Sequence, residues 1–82
     1  MYYFYIIYSL KLDKHYLGHT EDLAVRLSQH NSGISAFTSQ ATDWNMVYSE
    51  QYPDRVAARN REMEVKRKKS RKYIEWLIQS NS

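Results

Sequence analysis

The stretch Tyr2-Tyr3-Phe4-Tyr5-Ile6-Ile7-Tyr8-Ser9 decides the fold. Aromatic and β-branched side chains stand on both parities, which is the pattern of a strand covered on two faces. The segment is therefore expected at the centre of a small sheet. Leu10 to Asp13 turns the chain, although no Asn-Gly or Asp-Gly pair marks the turn. Lys14 to His19 then returns as the second strand of a hairpin. If facing residue numbers sum to an odd value, Tyr5 and Tyr16 share a face, directly opposite or diagonal; an even sum separates them. The residues alone leave both registers open.

Further along, Thr20 is the expected N-cap of a first helix, with Glu21 and Asp22 suited to its N-terminus. Leu23, Leu27 and His30 follow at helical spacing. Asn31-Ser32-Gly33 ends the helix, with Gly33 available for a left-handed cap. Ile34 to Asp43 has no clear period and reads as a loop with a short helical turn. Trp44 to Tyr52 reads as a third strand, with Trp44, Met46, Tyr48, Glu50 and Tyr52 on one parity, and Pro53 stops it. Asp54 caps a helix running to about Lys69, and Tyr73, Ile74, Trp76, Leu77 and Ile78 form a final short helix that packs back on the body. The expected fold class is α/β: a small, mainly antiparallel three-stranded sheet flanked by helices, in the order β-β-α-β-α-α. Residues 1–82 are expected to form a single domain, with neither repeat nor linker.

A chain of 82 residues buries only roughly 60% of the surface it exposes when unfolded. It has no cysteine, so neither a disulfide nor a thiolate metal site supports it, and eight tyrosines and two tryptophans supply core bulk instead. The apolar run Tyr2 to Tyr8 is far shorter than the ~20 residues of a membrane span, and no basic segment precedes it as in a signal peptide. A soluble, cytoplasmic setting is expected. The net charge is +3, but it is unevenly spread. Arg55 to Lys72 holds nine basic residues against Glu62 and Glu64, an excess of +7, while the first fifty residues are net acidic. Such polarity suits a nucleic-acid backbone; a solvated basic helix face explains it equally well.

Tyr5 in its apolar run, Tyr16-Leu17-Gly18 eleven positions on, Arg26, His30 and Glu62 together resemble the GIY-YIG endonuclease superfamily. The two naming triplets stand here as Phe4-Tyr5-Ile6 and Tyr16-Leu17-Gly18. The likeness runs from about Tyr2 to about Trp76 and is that of a small single-domain member similar to the N-terminal domain of the excinuclease C subunit. It implies hydrolysis of phosphodiesters in DNA with two tyrosines, an arginine and one glutamate that holds a divalent metal. Glu62 would be that ligand, in the context Ala58, Glu62, Lys66. One carboxylate with water and substrate phosphates is an adequate Mg²⁺ site, and Mn²⁺ would serve as well. Glu62 shares a helical face with Ala58 and Val65, whereas Glu64 is rotated about 200° away.

In the same reading Arg26 places a planar fork of donors on the scissile phosphate. His30, one turn later, shares a proton or contacts a flanking phosphate. Tyr5 and Tyr16 are the base and the orienting hydroxyl in an order the residues do not settle. Gly18 would let a substrate backbone approach the sheet, and Thr20 would bond a phosphate from the helix N-terminus. Arg61, Lys66 and Lys69 complete the expected substrate contacts. Each residue taken singly has a plainer account. Glu62 pairs with Lys66, Arg26 pairs with Asp22, His30 caps a helix end, and the tyrosines fill a core. Departures from the family are Phe4 and Tyr3 in the first triplet, Ser39 and Gln40 where basic residues are common, and Arg59 at an aliphatic position; these point to weakened or specialised DNA binding.

The leading expectation is a metal-dependent DNA endonuclease that selects flaps, branches or single strands rather than sequence, acting in repair or recombination. A second is a catalytically weak nucleic-acid-binding module that uses the basic helix Arg55 to Lys72. A third is an interaction protein that docks a partner on Trp76, Ile74, Leu77 and Ile78, for which core packing is the duller and preferred account.

Overall fold

The computed structural model describes residues 1–34 and 36–80. Its strands are β1 (Tyr2–Ser9), β2 (Lys14–Thr20) and β3 (Asn45–Tyr52), and its helices are α1 (Leu23–Asn31), α2 (Arg55–Lys68) and α3 (Arg71–Ser80), with one 3-10 turn at Thr38–Gln40. The chain order β-β-α-β-α-α is the one expected. All strands are antiparallel, in the order β2-β1-β3. β1 is thus central, and Phe4, Tyr5, Ile6 and Ile7 are all buried.

The hairpin pairs Tyr5 with Gly18 and Ile7 with Tyr16. Facing numbers sum to 23, an odd value, so Tyr5 and Tyr16 lie on one face as diagonal neighbours. On that face Tyr5, Ile7, Ala41 and Trp44 pack with Leu23 and Leu27 of α1. On the other, Phe4, Ile6 and Leu17 pack with Val65 of α2 and Leu77 of α3. Burial of a helix layer on each side of β1 is what its two apolar parities require.

β3 departs from the expected single parity. Ile6 faces Tyr48 but Ile7 faces Met46, so Val47 is an extra residue in a bulge. The bulge changes which side chains face which layer. Met46 joins Trp44 against Tyr5 and Ile7, whereas Tyr48 and Tyr52 pack with Phe4 and Ile6. The strand also begins one residue after Trp44.

The helix ends follow local chemistry. The α1 cap is Asp22 and not Thr20: the Asp22 carboxylate accepts from Val25 N–H at 3.1 Å. Thr20 is the last residue of β2, and its hydroxyl accepts from Asp22 N–H at 3.2 Å. Gly33 takes a left-handed φ of 83° just beyond α1, as its type permits. Asp54 caps α2 by accepting from Ala57 N–H at 2.9 Å, and Lys69 closes it in the left-handed region. In α3, Ile74, Leu77 and Ile78 pack on the core, but Trp76 is 59% exposed and stacks on Tyr73. The apolar C-terminal stripe is therefore mostly core, with Trp76 outside it. Among the described residues no helix is long and apolar enough to cross a membrane.

Candidate active site

Tyr5 stands at the middle of β1 and its ring lies over Gly18 on the neighbouring strand. A Cβ built on Gly18 would sit 2.5 Å from the Tyr5 hydroxyl oxygen and 2.7 Å from the ring carbon that bears it. The space expected to admit a substrate backbone is thus taken by the phenol, and close packing of Tyr5 is why a glycine is needed. The Tyr5 hydroxyl meets His30 Nε2 at 2.8 Å, and His30 Nδ1 meets Thr38 Oγ1 at 2.7 Å. This chain crosses from β1 through α1 to the 3-10 turn. It is held in place by Asn31, which bonds the Trp44 backbone on both sides, and by the Trp44 indole N–H, which donates to the Thr38 carbonyl.

His30 is fully buried. Burial and then the positive charge of Arg26 bring its pKa down to about 4, so it is neutral at pH 7. With no exposed atom and both ring nitrogens engaged, it does not offer the flanking-phosphate contact expected of it; it orients Tyr5. Burial pushes the Tyr5 hydroxyl up to about 12, with Arg26 lowering and Tyr16 and Glu62 raising it further. Tyr5 therefore keeps its proton at neutral pH. The same balance of charges places Arg26, Tyr16 and Glu62 within electrostatic reach of one hydroxyl.

Tyr16 is partly exposed. Its ring meets His30 edge-on at 5.0 Å between centroids and tilts against Phe37 at 5.4 Å. Arg26 is not paired with Asp22: its guanidinium donates to Gln29 Oε1 at 3.0 Å. Glu62 comes from α2, in the other layer, and its side chain is 13% exposed. Ala58 and Val65 on the same helical face are buried, while Glu64 points outward. Glu62 Oε1 lies 2.6 Å from His19 Nδ1 and Oε2 lies 2.6 Å from Lys66 Nζ. Lys66 also stands 6.0 Å from the centre of the Tyr16 ring. The two halves of the candidate site thus meet around the outer edge of β2, which pairs with no further strand among the described residues.

Among the described residues no three acidic or histidine side chains converge as a metal cage. The donor set is one carboxylate with limited solvent access, and Lys66, paired with it, is half exposed. That suits a hard cation such as Mg²⁺, which keeps most of its water and takes substrate oxygens as further ligands. It does not suit a metal that demands a preformed protein cage.

Three expected substrate contacts lie outside this gathering. Arg61 bonds Glu50 at 2.9 and 3.2 Å and also pairs with Glu64. Glu50 accepts from Tyr48 and Tyr52 as well, which makes Arg61 part of a hydrogen-bonded network beside β3. Thr20 ends a strand and does not begin a helix. Lys69 is exposed at the end of α2, one turn beyond Lys66.

Sequence reasoning missed His19, Thr38 and Phe37. His19 was legible in principle, because it shares with Leu17 the β2 parity that faces α2. Thr38 and Phe37 carry no such signal, since a loop without period does not say where it folds back.

With this geometry in view, the chain is compared with known families: the model described as the GIY-YIG catalytic domain matches residues 1–74. No curated protein matches the chain, nor does any solved structure.

Proposed function

Because the chain belongs to the GIY-YIG family, it is a nuclease-type catalytic domain with a nucleic-acid substrate, and from that premise we propose a divalent-metal-dependent endonuclease that hydrolyses DNA. Mg²⁺ is the proposed ion, with Mn²⁺ as a substitute, and Glu62 its protein ligand. When bound, the metal supplies positive charge to the phosphate and acidifies water. The chain does the rest. Arg26 stabilises the negative charge on the phosphoryl oxygens as the water oxygen bonds to phosphorus and the ester P–O bond breaks. Tyr16, the more exposed tyrosine, orients the attacking water. Tyr5, protonated and fixed through His30 to Thr38, sets the position of the site's floor. The proton lost by the attacking water passes to solvent, and solvent returns one to the departing oxygen.

The observation that supports this reading most is the meeting of Tyr16 and Glu62 around the edge of β2 through Lys66. It brings a metal-capable carboxylate from one helix layer to the tyrosine and arginine of the other. The cations nearest the site address phosphate and carry no sequence information, so we propose selection of flaps, branches or single strands in repair or recombination. The Ala58, Glu62, Lys66 spacing supports placing the chain with small members similar to the N-terminal domain of the excinuclease C subunit.

Cleavage of labelled flap, branched and single-stranded DNA with Mg²⁺, by this protein and by Glu62→Ala, tests the proposal. Cutting that needs the metal and falls at least roughly 100-fold in the variant is the expected outcome. One observation favours the alternative of a catalytically weak binding module on Arg55 to Lys72: both Glu62 oxygens are already satisfied within the chain. Salt-dependent binding by both proteins with no cutting by either would establish that alternative.

A further inference from the structure

A groove of about 360 Å³ runs along the outer edge of β2, between that strand and the corner where α2 gives way to α3. Its floor is apolar, from Leu17, Val65 and Ile74, and Lys14, Lys66 and Lys69 rim it. We propose that this groove is a phosphate-binding subsite for the same nucleic-acid strand, holding its backbone to one side of the scissile bond; the inference rests on the nuclease reading above.

Charge is the first argument. Four cations line the groove, of which Lys66 is paired with Glu62 and Arg71 with Glu75 just outside it, against the single lining carboxylate of Asp13. That carboxylate is taken by Arg71 at 2.6 Å and by the Tyr8 hydroxyl at 2.6 Å. Lys14 and Lys69 have no side-chain partner among the described residues, so their charges are free for a ligand. Continuity is the second. Lys66 forms part of the groove wall and also bonds Glu62, so a strand lying in the groove leads directly to the proposed metal ligand. Lys66 lies in the last turn of α2 and Lys69 is its C-cap, and both line the groove, so two positive charges stand along one wall. The apolar floor suits the sugars between phosphates. The N-terminus of α3, capped by Ser70 at 3.1 Å from Tyr73 N–H, opens onto the same groove and adds partial positive charge.

The experiment measures binding of a single-stranded oligonucleotide of about 16 nucleotides, the upper site size of single-strand grooves, as a function of salt. The full chain carries Glu62→Ala to prevent cutting. Lys14→Gln with Lys69→Gln is compared with the charge-matched pair Lys11→Gln with Arg59→Gln, which lies outside the groove. The groove pair is expected to weaken binding about tenfold at roughly 0.1 M salt and to flatten the slope of log affinity against log salt by about 1.4, the release of two contacts on a single strand. The control pair changes the slope by clearly less. Equal effects of the two pairs, or none from the groove pair, would overturn the proposal. A slope difference that persists when the Glu62-intact protein cuts nothing upholds the groove and fails the nuclease reading alone.

Discussion

A single missing methyl group organises the candidate site. Gly18→Ala forces a Cβ into the phenol of Tyr5, and a buried ring hydrogen-bonded to His30 has little room to yield. The substitution is expected to destabilise the fold by about 1–3 kcal/mol, read from the denaturant midpoint. Tyr5→Phe removes the nearest atom, so Gly18→Ala should cost less in that background; additive effects of the two changes would show that the contact is not the cause. His30 gives a second test at this scale. Its folded pKa lies below its unfolded value of about 6.5, so the unfolded chain binds the extra proton and stability falls as pH drops from about 6.5 towards 4. His15, also lowered by burial, acts in the same direction. The loss attributable to His30 is about 3 kcal/mol across that window, and His30→Gln should flatten the profile of unfolding free energy against pH. An unchanged profile would mean that His30 is not held neutral.

Elements ended where their local chemistry dictated, with two exceptions. Asp54 and Gly33 were legible as caps from type alone, because a carboxylate satisfies free N–H groups and glycine tolerates positive φ. Asp22 displaced Thr20 as the α1 cap because β2 pairing extends through Thr20; two good capping residues in sequence leave the choice to the strand. The Val47 bulge was not legible, since Trp44, Met46, Tyr48, Glu50 and Tyr52 alternate without a break and only pairing with β1 shows the extra residue. Lys69 supplies the prediction here. It holds φ 47° at the end of α2, a region that costs a side-chain-bearing residue about 1 kcal/mol. Lys69→Gly should raise the thermal midpoint while weakening DNA binding. A variant that loses stability would show that Lys69 contributes more through contacts than it costs in backbone strain.

At the scale of the molecule, the candidate site is divided between two layers. Tyr5, Tyr16, Arg26 and His30 belong to the α1 side, Glu62 and His19 to the α2 side, and the edge of β2 is where they meet. A site with one protein carboxylate binds Mg²⁺ weakly until phosphate oxygens complete the shell. Mg²⁺ alone is therefore expected to leave the thermal midpoint nearly unchanged, whereas DNA and Mg²⁺ together raise it in the parent protein and raise it less in Glu62→Ala. A large shift with Mg²⁺ alone would mean further protein ligands. Glu62 was the expected ligand on its helical face, and burial of Ala58 and Val65 agrees with that face; its metal role rests on the cleavage experiment.

The amino-acid sequence by itself determined the element order, the central position of β1, the basic excess in Arg55 to Lys72 and the family of the chain. Those features depend on side-chain type and on periods of two or about 3.6, which are written locally. Only the tertiary structure decided the hairpin register, the bulge that divides β3 between two faces, the Tyr5–His30–Thr38 chain, the pairing of Arg61 with Glu50 and the contact of His19 with Glu62. Each of these joins residues on different elements, and a side chain's partner on another element is set by how the elements pack, which no local pattern encodes.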